Sequence, residues 1–115
     1  MKGDLNLAEL ADRIRAFTEA RDWEQFHSPK NLSMALAAEA GELLDVFRWL
    51  TEAESRELSA DQLQAAADEL VDVLWFVVRM LDVLDIDVEA AWRRKVAGNE
   101  VRYGIDEVRG SATKQ

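Results

Sequence analysis

The chain has 115 residues, 14 Lys+Arg against 23 Asp+Glu, a formal net charge of −9 and 49% hydrophobic residues. This is the composition of one globular, modest-cored domain, and it excludes a disordered chain. The acidic balance argues against a nucleic-acid partner, which would need a basic face, but leaves open a nucleotide held by a few placed cations and a metal ion.

The lack of Cys removes disulfides, thiol catalysis and Cys-ligated zinc, and a single His removes a multi-His metal site within one chain. No signal-peptide pattern and no run of ~20 apolar residues is present, so the expectation is a cytoplasmic protein with no membrane partner.

The pattern is all-α throughout, with no clean period-2 alternation. Leu7, Leu10, Ile14 and Phe17 predict a first helix over about Leu5 to Arg21. After the connector Asp22-Trp-Glu-Gln-Phe-His-Ser28, the pair Ser28-Pro29 reads as an N-cap with Pro at the first helical position. It opens a helix over about Pro29 to Leu50. Thr51 with Glu54, and Ser59 with Gln62, each fit a capping box. The first predicts a short helix and the second a long one over about Ala60 to Leu84. Asp87 predicts a last helix over about Val88 to Tyr103, stopped by Gly104. The domain therefore spans 1–104, followed by a polar tail over 105–115 that would be ordered only by contact with something else.

The long helix carries only Asp72 and Arg79 as charges between Leu70 and Leu81. A helix apolar on nearly every side is a buried one, and one short chain has few helices with which to cover it. A second subunit is expected to complete its burial. Trp75, Trp92, Met34 and Met80 read as packing residues.

Carboxylates interrupt the apolar stripes. On the second helix, Leu32, Leu36, Leu43, Val46, Phe47 and Leu50 form the stripe; Glu39 falls in its middle and Glu42 at its edge. Glu69 and Asp72 repeat the spacing on the long helix, and residues three apart share a helix face. A carboxylate in a core stripe costs several kcal/mol unless it is paired or binds a metal. Two facing pairs give four hard oxygen donors that cannot all stay ionised without cations. That set suits Mg²⁺, with Mn²⁺ as a substitute. A ferritin-like di-iron site would want Glu-x-x-His, and neither pair has a His.

Trp49 follows Glu42 by seven residues, ~10 Å along the helix, about the reach from a nucleotide's phosphates to its base. Trp faces stack well on bases, although Trp49 reads equally well as a core or interface residue. Trp23 is a second candidate wall. Lys95, Asn99 and Arg102 share a face that could contact phosphates or simply be solvated, and Tyr103 adds a hydroxyl. His27 reads most simply as a loop residue near a cap.

Taken in order, these residues resemble the MazG-like, all-α nucleoside triphosphate pyrophosphohydrolases. The core of the likeness is Glu39-Ala-Gly-Glu42 followed by Glu69-Leu-Val-Asp72. Arg21-Asp-Trp-Glu-Gln-Phe-His27, Pro29, Asn31-Leu32 and Phe47-x-Trp49 resemble the dCTP pyrophosphatase branch, as do Lys95, Asn99, Arg102-Tyr103 and Arg109-Gly-Ser-Ala112.

The resemblance implies a four-helix-bundle type domain whose core is completed by dimer or tetramer assembly. It implies Mg²⁺-dependent cleavage of a dNTP, dCTP first, between the α and β phosphates, and hence a role in nucleotide-pool sanitation. Glu39, Glu42, Glu69 and Asp72 match the family's metal ligands, and Trp23 through His27, including Phe26, match its base pocket together with Trp49. On that reading Glu39 also activates water, Phe76 lines the pocket, and Lys95 and Arg102, with Asn99 and Tyr103 beside them, serve the phosphates.

Two positions depart from the animal dCTP enzymes: Ile14 stands where they carry His, and Phe76 where they carry Tyr. Losing a hydrogen-bonding partner relaxes specificity. The competing readings are the same chemistry on dUTP, other dNTPs, NTPs or a phosphoribosyl nucleotide, and a non-catalytic helical interaction module.

Overall fold

The computed structural model describes residues 1–112, and the last three residues of the tail expected over 105–115 lie outside the described residues. All regular structure among the described residues is helical. The order is α1 (Leu7–Ala20), a 3₁₀ turn (Glu24–Phe26), α2 (Pro29–Phe47), α3 (Glu52–Ser55), α4 (Ala60–Val83), α5 (Val88–Arg102) and α6 (Ile105–Val108). No helix of the described residues is long and apolar enough to cross a membrane.

The capping chemistry sets the boundaries. Asn6 accepts from the Glu9 N–H at 2.8 Å, and Ser28 accepts from the Asn31 N–H at 3.1 Å just ahead of Pro29. Both capping boxes close reciprocally, Thr51 with Glu54 and Ser59 with Gln62. Asp87 accepts from the Ala90 N–H at 3.0 Å.

One boundary and one glycine differ from the sequence expectation. α2 ends at Phe47, so Trp49 sits in the turn beyond the helix, closed by Leu50 N–H donating to Phe47 O at 2.9 Å. The axial spacing from Glu42 that assumed a helix through Leu50 does not hold. Gly104 is not a left-handed stop: its φ is −56°, and it caps the start of α6. The segment that follows contains one helical turn, Ile105–Val108.

The chain divides into two compact units, residues 1–84 and the segment from Asp85 onward. In the first, α4 is the central element, packed along α2 and against α1. Its buried apolar residues are few: Ile14, Leu32, Ala66 and Val78. Thr18 and Arg79 are buried with them. Thr18 Oγ1 donates to Ile14 O at 2.8 Å, which satisfies the hydroxyl within α1.

Much apolar surface stays open. Leu63, Leu70, Leu74 and Val77 lie on one face of α4, and all are exposed. Met34 and Trp92, expected to pack, are exposed in the chain at 61% and 70%. In the second unit α5 and α6 carry the exposed Val101 and Ile105.

Candidate functional site

α2 and α4 bring the four carboxylates together. One oxygen each from Glu39, Glu42, Glu69 and Asp72 lies within 4.8 Å of the others, with Glu39 and Glu69 half-buried and Glu42 and Asp72 exposed. The stripe logic explains the depths: Glu39 sits between Leu36 and Leu43, which are themselves partly buried. Glu39 Oε2 and Glu69 Oε2 are buried without a hydrogen-bond partner among the described residues.

Crowding and burial shift these acids. Sharing a proton with the Glu42 carboxyl pushes Glu39 up to about 7, reinforced by burial and by the charges of Glu42, Asp72 and Glu69. Burial raises Glu69 as well, with the neighbouring Glu42 and Asp72 adding to it. Orphaned carboxylate oxygens at this density are unfavourable unless a cation or protons join them. Four hard oxygen donors fit a divalent cation such as Mg²⁺.

Beside the cluster opens a cleft of about 330 Å³, near the lower end of the range for small-molecule sites. Phe17, Trp23, Trp75 and Phe76 form its aromatic walls; Thr18, His27, Glu39 and Asp72 are its polar residues. The cleft is therefore continuous with the carboxylate cluster through Glu39 and Asp72.

The end of α1 delivers Trp23 to this cleft. Asp22 takes a left-handed φ of 52°. The Asp22 N–H donates to Glu19 O at 3.1 Å and the Trp23 N–H to Thr18 O at 3.1 Å, the bond pair of a Schellman motif. The apolar contact that accompanies such a motif is present: Phe17 and Trp23 rings meet edge-on at 5.9 Å. Phe17 also meets Trp75 edge-on at 5.1 Å, so three aromatic rings brace one another.

Of the expected substrate residues, Trp23, His27 and Phe76 line the cleft, while Phe26 and Trp49 do not. Phe26 is 59% exposed; its carbonyl accepts from Asn31 Nδ2 at 3.1 Å, which pins the turn. Trp49 is 80% exposed, with the Arg48 guanidinium 4.5 Å from its ring centre. Lys95, Asn99 and Arg102 are exposed on α5, where Arg102 lies 5.2 Å from the Tyr103 ring.

Phe17, Thr18 and Trp75 belong to the cleft and were not singled out from sequence. Trp75 was expected to be packing only. Its place three residues after Asp72, on the same helix face, was the available signal.

No family model matches the chain. The chain is 40% identical over 100 residues to dCTP pyrophosphatase 1 of Rattus norvegicus and 38% identical over 100 residues to that of Homo sapiens. Each alignment takes in 85% of this chain and 59% of the relative, so the chain spans under two thirds of those relatives. Among solved structures, a pyrophosphatase from Archaeoglobus fulgidus superposes with a TM-score of 0.80 at 31% identity, covering 90% of this chain and 97% of that one.

Proposed function

The chain belongs to the MazG-like all-α nucleoside triphosphate pyrophosphohydrolases, in the dCTP pyrophosphatase branch, and on that premise we propose that it hydrolyses a deoxynucleoside triphosphate, dCTP first, to the monophosphate and pyrophosphate. One observation carries the reading: four carboxylates with two orphaned buried oxygens adjoin an aromatic cleft. The first half suits a cation on a triphosphate and the second suits a base.

Glu39, Glu42, Glu69 and Asp72 would hold Mg²⁺. When bound, the ion offsets phosphate charge and orients the triphosphate for in-line attack. Glu39, deepest in the apolar stripe and lining the cleft, takes the proton of the attacking water on its carboxylate. Trp23, Trp75 and Phe17 hold the base by stacking, and Phe76 closes the wall. Phe26 would support the turn through its carbonyl. Lys95 and Arg102, with Asn99 and Tyr103, would meet the departing pyrophosphate.

The wall chemistry favours a tolerant enzyme. Phe76 puts an apolar ring in the wall where a hydroxyl could have bonded a base, and Ile14 is buried in the core and does not line the cleft. The exposed face of Leu63, Leu70, Leu74 and Val77 supports a homo-oligomer, a tetramer by family likeness, working on nucleotide pools in the cytoplasm.

The test is pyrophosphate release from a panel of dNTPs and NTPs, with Mg²⁺ and with EDTA. dCTP should lead and EDTA should abolish turnover. No release under any divalent cation would sink the reading in favour of an interaction module.

A further inference from the structure

Arg79 is a charged residue with no place in the reaction above, yet it is among the most buried side chains of α4, with 7% exposed. An unpaired guanidinium there would be strongly destabilising. It has two partners. Nε donates to His27 Nδ1 at 3.1 Å, and Nη1 donates to Asp82 Oδ2 at 3.4 Å. Asp82 is held in turn by Arg15 of α1, whose Nε donates to Oδ2 at 2.9 Å while Nη2 donates to Oδ1. The chain of contacts therefore runs from α1 through α4 to the connector.

An arginine has no acceptor and stays protonated. The imidazole nitrogen facing it must therefore be the one with the lone pair. A neutral His27 then carries its single proton on Nε2. Nε2 has no partner among the described residues, and the ring lines the aromatic cleft with Glu39 and Asp72.

We propose that Arg79 is a positioning residue for base recognition: by holding His27 Nδ1 as an acceptor, it makes Nε2–H a fixed donor of the cleft. Such a donor selects a base edge that presents a carbonyl oxygen or an unprotonated ring nitrogen, as the O2/N3 edge of cytosine does. The proposal rests on the reading of the cleft as the base site. Burial first, and the Arg79 charge second, hold His27 below its ordinary value against the opposite pull of Glu24, which favours the neutral ring this role needs.

The chain has one histidine, so imidazole nitrogen spectra of the ligand-free, full-length, ¹⁵N-labelled protein report on His27 without ambiguity. The wild type should show one neutral tautomer, protonated on Nε2. Arg79→Met keeps length and apolar volume, and Asp82 keeps Arg15 as its partner when the guanidinium is gone. In it the two nitrogen shifts should move toward mixed-tautomer values, and KM for dCTP should rise about tenfold with kcat changed less than about threefold. Arg79→Lys, which keeps a donor and a charge, should recover part of both.

A wild-type ring protonated on Nδ1 overturns the proposal, and that spectrum decides even if Arg79→Met does not fold. So does an Arg79→Met protein with unchanged shifts and unchanged KM. A wild type that hydrolyses no nucleotide removes the recognition role together with the base-site reading. In that case the spectra separately show whether Arg79 fixes the ring.

Discussion

Two groups of ionisable side chains lie on α4 and obey opposite rules. Around Asp72, three glutamates and an aspartate converge with no basic side chain bonded to them among the described residues, and two of their oxygens are orphaned. Around Asp82, ten residues or ~15 Å further along the helix, two guanidinium groups, one carboxylate and one imidazole complete one another. The second group closes its charges within the chain and leaves only the His27 Nε2–H open toward the cleft. The first is unfinished, and what would finish it is a ligand. Burial alone does not distinguish them, since Arg79 is deeper than any of the four acids. Charge closure does.

The contrast extends to pH. Glu39 is raised to about 7 from 4.5, so between those values the native chain keeps a proton that the unfolded chain has lost. Without metal, stability from this group falls as pH rises through that window. Asp82 is lowered, first by its hydrogen bond from Arg15. Its contribution is full above its ordinary value of 3.8 and is lost as pH falls through the depressed value.

The largest effect expected from breaking this contrast is at Glu69. Glu69→Gln keeps the shape and removes one charge of the unfinished group. Pyrophosphate release with Mg²⁺ should drop about a hundredfold or more, the scale of lost metal-mediated charge stabilisation. In EDTA at about pH 8 the same variant should melt above the wild type, because crowded carboxylates are relieved. Full activity, or a lower melting point in EDTA, would return Glu69 to the ordinary solvated acids.

Asp82→Asn should do the reverse. Removing the closing charge leaves Arg79 buried and underpaired, at a cost of about 2 kcal/mol, reduced from the fully buried case because the Arg15 end is exposed. Thermal melts at neutral pH with EDTA would read it, and the deficit should shrink as the pH falls and the wild-type Asp82 is itself protonated. An Asn variant as stable as wild type would mean the network is decoration.

Much of this was legible in the chain. The caps at Ser28, Thr51, Ser59 and Asp87 are local chemistry, and they form as the spacing predicts. The paired acids were legible too, since a carboxylate at the centre of an apolar stripe contradicts its neighbours. The Asp82 network was not: Arg15–Asp82 and His27–Arg79 join residues 67 and 52 positions apart, and nothing in either local pattern names the partner. The end of α1 was hidden for another reason. A Schellman turn usually advertises itself with Gly, and here Asp22 takes the left-handed position, so the signal that places Trp23 was missing. Gly104 does follow the end of α5 as its position predicts, but with a φ of −56° that any residue adopts.

The smallest expected effect supplies the control. Arg93 and Glu89 on α5 make an i,i+4 bridge of 2.7 Å, shorter than the 3.4 Å between Arg79 and Asp82. By distance alone it should be the stronger contact. Both side chains are about three-quarters exposed, however, so water screens the pair and either charge is solvated once the other is gone. Glu89→Gln should therefore change stability by less than about 0.5 kcal/mol and leave turnover unchanged. If a melt showed a loss matching that of Asp82→Asn, proximity rather than closure in a dry environment would govern these pairs. The physical distinction between the two groups on α4 would then have to be redrawn.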